Sequence, residues 1–351
     1  MSGVQTLTLG EDEAEQRLDR WFRRRFPQVN QIQIEKLCRK GEIRVDGGRV
    51  KAASRIGPGQ VVRVPPLPET RPKSEKDYRQ FQSVVSDADT QLMNEAILYR
   101  DDHILVLNKP AGLPSQGGSK QTRHIDGLSE ALRFGYEDKP RLVHRLDKDT
   151  SGVLLMARTH KVAAALTSAF RSRETRKIYW AIVAGVPHPH MGTIKYGLVK
   201  SPGHGGRGEG EKMHCIHPGE VARTEGAKRA VTDYAVLTTL AQRAAWMALV
   251  PITGRTHQLR AHMAEMGHPI IGDGKYGGSG QENLGDGWGA QLGGDISKKL
   301  HLHARSLRIL HPITKREMTF VAPLPDHMAR TWKTLDWRAQ DVPADPFEDD
   351  E

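Results

Sequence analysis

The densest group of reactive side chains lies between Val143 and Gly152, directly before the apolar run Val153–Ala157, which predicts a strand. This segment reads VHRLDKDTSG and contains one histidine, two carboxylates, two cations and two hydroxyls. We interpret it as a loop that presents polar groups at the edge of a sheet. Turn residues in mutual ion pairs would have the same composition, so this segment by itself leaves a purely structural role open.

A second polar cluster, Pro251–His262, reads PITGRTHQLRAH and joins an apolar run to a predicted helix through Gly254. Arg255, His257 and Arg260 fall at the start of that helix. The first turn of a helix offers free backbone N–H groups, and with these cations it suits an anion or a carboxylate partner. A surface position for Arg260 is an equally good interpretation of this cluster alone.

The order of four motifs is more specific than either cluster. LNKPAG at 107–112 precedes the first cluster, and RKIY at 176–179 lies between the two. Over about 95–325 this order resembles the RluA-type family of RNA pseudouridine synthases. The resemblance implies an α+β protein whose catalytic domain is a mixed, mainly antiparallel β-sheet with flanking helices and a central cleft. It also implies an isomerase, an intramolecular transferase that needs no cofactor and no metal.

The reaction detaches uracil from ribose carbon 1′, rotates the base and rejoins it through carbon 5. A group must therefore stabilise or capture an electrophilic intermediate, which a carboxylate can do. The resemblance assigns this role to Asp147, with Asp149 as the nearby rival. It implies that Tyr179 packs on the target base and helps to remove the carbon 5 proton. It further implies that Arg260 pairs with the carboxylate and keeps it ionised and oriented.

Other residues are expected to bind the RNA. The resemblance implies that Leu259 lines the base pocket and that Arg145 fills the gap left by the flipped nucleotide. We expect Arg255 and His257 to contact RNA as well. The histidine spacings at 214–217 and 301–303 fit no standard zinc pattern, so no metal site is predicted.

The net charge indicates how RNA would be held. The 351 residues include 52 Lys+Arg and 42 Asp+Glu, a net charge of +10. Thirteen Lys/Arg and four acids lie within 17–66, so this segment alone carries +9. A solvated helix face is the plain interpretation, but the continuous excess favours a surface for the RNA backbone. The residues that we single out are Arg23, Arg24, Arg39, Lys40 and Arg44.

Local patterns place these basic residues on a small α+β module. Apolar residues at helical spacing predict a helix that Pro27 ends, and a second helix over Gln31–Lys40. Asp46-Gly47-Gly48 predicts a hairpin turn. The module resembles the S-four-type RNA-binding domain. We predict this domain at 15–66, a linker at 67–95, the catalytic domain at 96–335 and a disordered acidic tail at 338–351.

Apolar periodicity predicts the elements that position the two clusters. The predicted strands are Ile104–Leu107, Val153–Ala157, Ile178–Val183, Val231–Leu237 and Ala245–Ile252, and the predicted helices are Lys161–Ser172 and Thr256–Met266. The glycine-rich stretches 201–210 and 272–294 are expected to be loops.

Composition limits the class of protein and its partners. The mean hydropathy is −0.56, and no apolar run approaches the roughly 20 residues that span a bilayer. The two cysteines, Cys38 and Cys215, form no C-x-x-C motif, so a disulfide framework is not predicted. We expect a cytoplasmic monomer, without a membrane partner, that acts on large-subunit (23S) ribosomal RNA. The alternatives are another rRNA or tRNA uridine, or a non-catalytic RNA-binding protein in ribosome assembly.

Overall fold

The computed structural model describes residues 3–10, 16–26, 28–67, 85–117, 123–172, 174–200, 212–277 and 296–348. The chain divides into two compact units, Met1–Ser83 and Val84–Glu351. Within the described ranges, no helix has both the length and the apolar character needed to cross a bilayer.

The first unit is a small α+β module, as predicted. Its helices are α1 (Leu18–Arg25) and α2 (Gln31–Lys40), and its strands are β1 (Gln5–Thr8), β2 (Gln16–Arg17), β3 (Arg44–Val45), β4 (Gly48–Arg49), β5 (Arg55–Ile56) and β6 (Val61–Val64). Four strands pair in the order β1-β6-β3-β4, and β2 pairs with β5. Asn30 caps α2 and Gly41, with a φ of 71°, ends it. Trp21, Phe22 and Ile34 are fully buried between these elements.

The second unit is organised around one large sheet. Its strands are β7 (Ile97–Arg100), β8 (Ile104–Lys109), β9 (Arg141–Leu142), β10 (Ser151–Ala157), β11 (Arg176–Ala184), β12 (Met191–Lys200), β13 (Met213–Ile216), β14 (Lys228–Leu240), β15 (Ala244–Pro251), β16 (Leu302–Leu310) and β17 (Glu317–Val321). The order is β13-β12-β14-β15-β11-β16-β10-β8-β7, with β9 beside β10 and β17 beside β16. Among the described strands, only β10 and β16 pair in parallel. The predicted mixed, mainly antiparallel sheet is therefore confirmed.

Helices cover both faces of this sheet. They are α3 (Asp87–Glu95), α4 (Ile125–Leu128), α5 (His160–Arg171), α6 (Gln258–Glu265) and α7 (Asp326–Thr334). Along β11, Ala181 and Val183 belong to one buried cluster, while Trp180 and Ile182 belong to another. This alternation is the period of a strand that is buried on both faces.

The predicted linker at 67–95 differs from the structure in its last part, because residues 87–95 form α3. Ser86 caps this helix by accepting a hydrogen bond from the Asp89 N–H, and Met93 is fully buried. Polar residues dominate the helix, with one buried anchor. Its apolar periodicity is therefore too weak to identify it from sequence.

The expectation of a disordered acidic tail is wrong for residues 338–348. The Trp337 ring stacks on Trp246 at a centroid distance of 5.9 Å, and Phe347 packs against the same aromatic cluster. Asp345 accepts two hydrogen bonds from Arg176, at 2.7 and 2.8 Å. Aromatic packing and an ion pair thus order residues 338–348, for which the acidic composition predicted disorder.

The expected loops fall partly outside the described residues. The stretch 201–210 lies outside them, and so does most of 272–294. The described start of the second stretch forms a tight turn at Gly272, whose φ is 76°. This turn contributes to the site described next.

Candidate active site

A cavity of about 790 Å³ opens at the ends of the central strands of the second unit. It is lined by residues 114–117, by the loop before β10, by the connection from β15 to α6, and by single residues of neighbouring elements. The predicted site residues that the structure brings together around it are Arg145, Asp147, Tyr179, Arg255, His257, Leu259 and Arg260. The two polar clusters of the sequence thus form one site.

The loop that carries Asp147 is fixed by hydrogen bonds on both sides of it. The buried Ser115 hydroxyl donates to the Leu146 carbonyl at 2.6 Å and accepts from the Leu146 N–H at 3.0 Å. The Lys109 ammonium donates to three carbonyls, those of Pro110, Leu113 and Lys148, at 2.7–3.1 Å. The residues before and after Asp147 are therefore held by side chains from another part of the chain.

The end of this loop depends on a glycine. Gly152 has a φ of 110°, and a Cβ at this position would lie 2.2 Å from the Ala304 carbonyl oxygen. Only glycine allows β10 to approach β16 so closely where their parallel pairing begins. The last residue of the motif thus sets where the loop joins the sheet.

Asp147 has two polar neighbours at equal distance. Its Oδ2 lies 3.8 Å from Nη1 of Arg260 and 3.8 Å from Nε2 of His257. The Asp147 side chain is 28% exposed, so its carboxylate faces the cavity and is open to a ligand. Asp149, the rival in sequence, is exposed and is not among the residues that line the cavity.

The groups around Asp147 have altered proton affinities. Burial, together with the charge of Asp147, raises the pKa of Tyr179 well above its usual value, so the phenol is protonated at neutral pH. Burial lowers the pKa of Lys109 to about 7, while Asp149 and Asp147 act in the opposite direction. Burial also lowers the pKa of His257, against the opposing charge of Asp147.

The connection from β15 to α6 is held by Gln258. Its side-chain oxygen accepts from the Thr253 hydroxyl at 2.6 Å and from the Arg255 N–H at 3.1 Å. Its amide group donates to the Val231 carbonyl and the Thr232 hydroxyl, both at 2.9 Å. These four bonds fix the start of α6 and with it the direction of Arg260.

Arg260 has a closer partner than the one predicted from sequence. The expected contact with Asp147 is present only at 3.8 Å, whereas Nε and Nη2 of Arg260 each donate to Asp273 at 2.7 Å. Asp273 is buried at the start of the second glycine-rich stretch. Sequence reasoning missed it, because a single carboxylate in a segment interpreted as a loop gives no local signal.

Tyr276 was missed for the same reason. Its hydroxyl lies 3.0 Å from Nδ1 of His257, and the Arg260 guanidinium lies over its ring at 5.2 Å. One short turn therefore contacts both polar neighbours of Asp147.

At the rim of the cavity, Arg145 and Arg255 are exposed and available to a large anionic ligand. Arg255 Nε donates to the Arg229 carbonyl at 3.2 Å. Leu259 is buried and lines the apolar part of the cavity. Among the residues that the structure describes, no group of three His, Cys, Asp or Glu side chains is placed to hold a metal ion.

The basic residues of the first unit differ in their surroundings. Arg23, Arg24, Arg39 and Lys40 are exposed. Arg44 is half-buried and donates to the carbonyls of Gly41 and Gly47, at 3.1 and 3.3 Å. Its guanidinium therefore braces the end of α2 and the following hairpin turn, a structural task that the charge count did not suggest.

Comparison with known proteins agrees with both units. The RNA pseudouridylate synthase family matches residues 103–265, and the S4 domain matches residues 16–62. The chain is 34% identical to the ribosomal large subunit pseudouridine synthase C of Vibrio vulnificus, covering 95% of this chain and 96% of that protein. It is 35% identical to the protein of the same name from Haemophilus ducreyi, over 93% and 94%.

A solved structure is similar as well. Human RNA pseudouridylate synthase domain containing 4 superposes with a TM-score of 0.54 at 29% identity, over 74% of this chain and 98% of that one. The chain therefore belongs to the family of RNA pseudouridylate synthases, of the RluA type that its motifs resemble, and it carries an S4 domain at its N-terminal side.

Proposed function

We propose that this chain isomerises specific uridines of large-subunit (23S) ribosomal RNA to pseudouridine in the cytoplasm, with Asp147 as the catalytic carboxylate. The observation that carries the proposal is the placement of Asp147, whose partly exposed carboxylate faces the cavity beside Arg260 and His257. The names of the relatives that match nearly the whole chain support the large-subunit target.

The reaction breaks the bond between N1 of uracil and C1′ of ribose and forms a bond between C5 and C1′. C5 loses its proton and N1 gains one, so the mass is unchanged. An electrophilic centre exists between these steps, and a carboxylate that faces the cavity can stabilise or capture it. Arg260 and His257 lie 3.8 Å from this carboxylate, and at that distance the positive charge of Arg260 favours its ionised form.

Tyr179 serves as a packing surface in this scheme. Its pKa is raised by burial and by the charge of Asp147, so it enters the reaction as a neutral phenol. Tyr179 lines the cavity, so it can pack on the target base, and its help in removing the C5 proton stays a prediction. Leu259 supplies a second apolar surface for the flipped base.

The basic residues divide the work of holding RNA. We assign the exposed Arg145 and Arg255 at the rim to the strand around the target uridine. We assign the exposed Arg23, Arg24, Arg39 and Lys40, within the RNA-binding domain at 15–66, to the RNA backbone. The catalytic domain that we propose is 96–335, and the protein acts as a monomer.

The test compares Asp147→Asn with Asp149→Asn. The second carboxylate is two residues away, exposed and outside the cavity, so it is a matched control. We expect Asp147→Asn to abolish pseudouridine formation, detected by carbodiimide modification and primer extension, with RNA affinity unchanged. Asp149→Asn should retain activity. Full activity in the Asp147 variant would remove Asp147 from the mechanism.

The target is tested separately. Pseudouridines are mapped in rRNA and tRNA from a strain that lacks this gene and from the same strain complemented with it. Loss and recovery of sites in 23S rRNA are expected. If the affected sites lie in tRNA or in another rRNA, the chemistry stands and the proposed target is wrong. If no site in any RNA changes, the enzymatic proposal itself fails.

A further inference from the structure

Two residues of one turn contact the polar neighbours of Asp147. Asp273 receives two hydrogen bonds from Arg260, and the hydroxyl of Tyr276 contacts His257. Both held groups lie 3.8 Å from the same carboxylate oxygen of Asp147. The turn therefore acts on the reactive carboxylate through two neighbouring side chains, Arg260 and His257.

The first route fixes the guanidinium of Arg260. Its Nε and Nη2 meet both oxygens of Asp273 at 2.7 Å, which leaves Nη1 directed at Asp147. The Arg260 side chain is 8% exposed and that of Asp273 is fully buried. Asp273 also accepts from the N–H groups of Lys275 and Tyr276, at 3.0 and 3.1 Å. A planar fork held on one edge cannot rotate, so the position of Nη1 follows from Asp273.

The second route fixes His257. The Tyr276 hydroxyl accepts a hydrogen bond from the Met213 N–H at 2.8 Å and lies 3.0 Å from Nδ1 of His257, to which it can donate its own hydrogen. A histidine that accepts at Nδ1 carries its proton on Nε2 when neutral. Nε2 is the atom that faces Asp147. In that tautomer the N–H of His257 is directed toward Asp147, across an N···O distance of 3.8 Å.

The turn is itself anchored to the strand that carries Tyr179. The Ile271 N–H donates to the Ile182 carbonyl of β11, and the Asp273 N–H donates to the Ile270 carbonyl. At Gly272 a Cβ would lie 2.0 Å from the Lys299 carbonyl oxygen. These backbone contacts therefore fix the position of Asp273.

We propose that Asp273 and Tyr276 are positioning residues for pseudouridine formation: they hold Arg260 and His257 so that each directs one N–H at Asp147 without occupying both carboxylate oxygens. This inference rests on the proposed role of Asp147. Without Asp273, the Arg260 guanidinium is free to turn and to form a two-point pair with Asp147, which would withdraw that carboxylate from the substrate.

The first experiment compares Asp273→Asn with Asp345→Asn in the full-length protein. Asp345 receives the same two-point pairing from Arg176, at 2.7 and 2.8 Å, and neither of these two residues lines the cavity. Three quantities are measured: the melting temperature, the dissociation constant for a 23S rRNA fragment, and the single-turnover rate with saturating enzyme. Asp273→Asn breaks a buried charge pair and Asp345→Asn a partly buried one, so both variants are expected to melt at lower temperature.

The rate separates positioning from a purely structural role. We expect Asp273→Asn to lower the single-turnover rate roughly 100-fold, the effect of a misplacement of about 1 Å at a reacting group. RNA affinity should stay unchanged, and Asp345→Asn should keep the rate of the unmodified protein. If Asp273→Asn also keeps the rate of the unmodified protein, Asp273 only stabilises the fold and the proposal is wrong. The proposal is equally wrong if both variants lose the same fraction of that rate.

If Asp273→Asn does not fold, Tyr276→Phe tests the positioning proposal. This change keeps the ring under Arg260 and removes only the hydroxyl. Its control is Tyr234→Phe, a buried tyrosine whose hydroxyl donates to the Pro189 carbonyl at 3.1 Å. We expect a rate loss of roughly tenfold for Tyr276→Phe, as for one lost hydrogen bond in the transition state, and none for Tyr234→Phe. An unchanged rate in Tyr276→Phe would overturn the proposal.

Asp147→Asn, assayed beside these variants, distinguishes the two levels of inference. If Asp147→Asn is active, the proposed role of Asp147 fails, and with it the proposal that Asp273 and Tyr276 position groups around that carboxylate. If Asp147→Asn is inactive while Asp273→Asn and Tyr276→Phe keep full rates, the role of Asp147 stands and only the positioning proposal fails.

Discussion

Replacing Ser115 with alanine should reduce both stability and catalysis, although Ser115 touches no charged group of the site. Its hydroxyl forms two hydrogen bonds with the backbone of Leu146, at 2.6 and 3.0 Å, and its side chain is 3% exposed. Asp147 is the next residue. Removing the hydroxyl leaves a buried N–H and a buried C=O without this partner in the loop that carries the carboxylate.

The cost follows from those two groups. A buried polar group left unpaired costs about 1–3 kcal/mol, so the free energy of unfolding should fall by roughly 3 kcal/mol. For a unit of this size, that loss lowers the melting temperature by roughly 6–12 °C. A displacement of Asp147 by less than about 1 Å would lower the single-turnover rate by roughly 10- to 100-fold, while RNA affinity should not change.

Ser129→Ala is the matched control for this prediction. Ser129 is fully buried, its hydroxyl donates to the Asp126 carbonyl at 2.8 Å with the Pro140 carbonyl at 3.3 Å, and none of these residues lines the cavity. It should cost stability but leave the rate unchanged. The reasoning would be refuted if Ser115→Ala lost stability and kept full single-turnover activity, because Asp147 would then be positioned without this contact.

Two further predictions concern pH and salt. Burial lowers the pKa of four histidines to about 3 or 4, against about 6.5 when unfolded; they are His144, His262, His301 and His303. As the pH decreases from about 6.5 to about 4, the unfolded chain therefore binds more protons than the folded chain. The free energy of unfolding should fall by up to about 1.4 kcal/mol for each histidine per unit decrease in pH. Urea unfolding curves that do not change with pH would contradict this. Changing Arg23, Arg24, Arg39 and Lys40 to glutamine should reduce the slope of log affinity against log salt by about 3, since each phosphate contact contributes about 0.7 on single-stranded RNA. An unchanged slope would show that these exposed cations do not meet RNA.

Elements with continuous apolar segments could be located from sequence to within a few residues. The helix predicted at Lys161–Ser172 is α5, His160–Arg171, and the strand predicted at Ala245–Ile252 is β15, Ala244–Pro251. β16 was not identified because Arg305 and Arg308 interrupt its apolar pattern. In the folded chain, the Arg305 guanidinium lies over the Trp180 ring at 4.2 Å, so a cation occupies a position where the pattern expects an apolar residue.

The candidate site divides in the same way. Asp147, His257 and Arg260 could be found because each lies in a short, dense polar segment. Asp273 and Ser115 could not, because each acts on a residue 13 or 31 positions away, and no local pattern records such a contact. Sequence thus indicates which groups react or bind, whereas the hydrogen bonds that orient them depend on how strands and turns meet in the folded sheet.

The distances around Arg260 explain why the site needs two carboxylates. At 2.7 Å, Asp273 receives directional hydrogen bonds that fix the guanidinium. At 3.8 Å, Asp147 is beyond hydrogen-bond range but still within the field of the same cation, since Coulomb attraction falls only with the inverse of distance. Arg260 therefore favours the charge on Asp147 without taking up its lone pairs. A carboxylate that must reach an electrophilic carbon needs this separation, because an oxygen held in a two-point ion pair would have to break it before it could react.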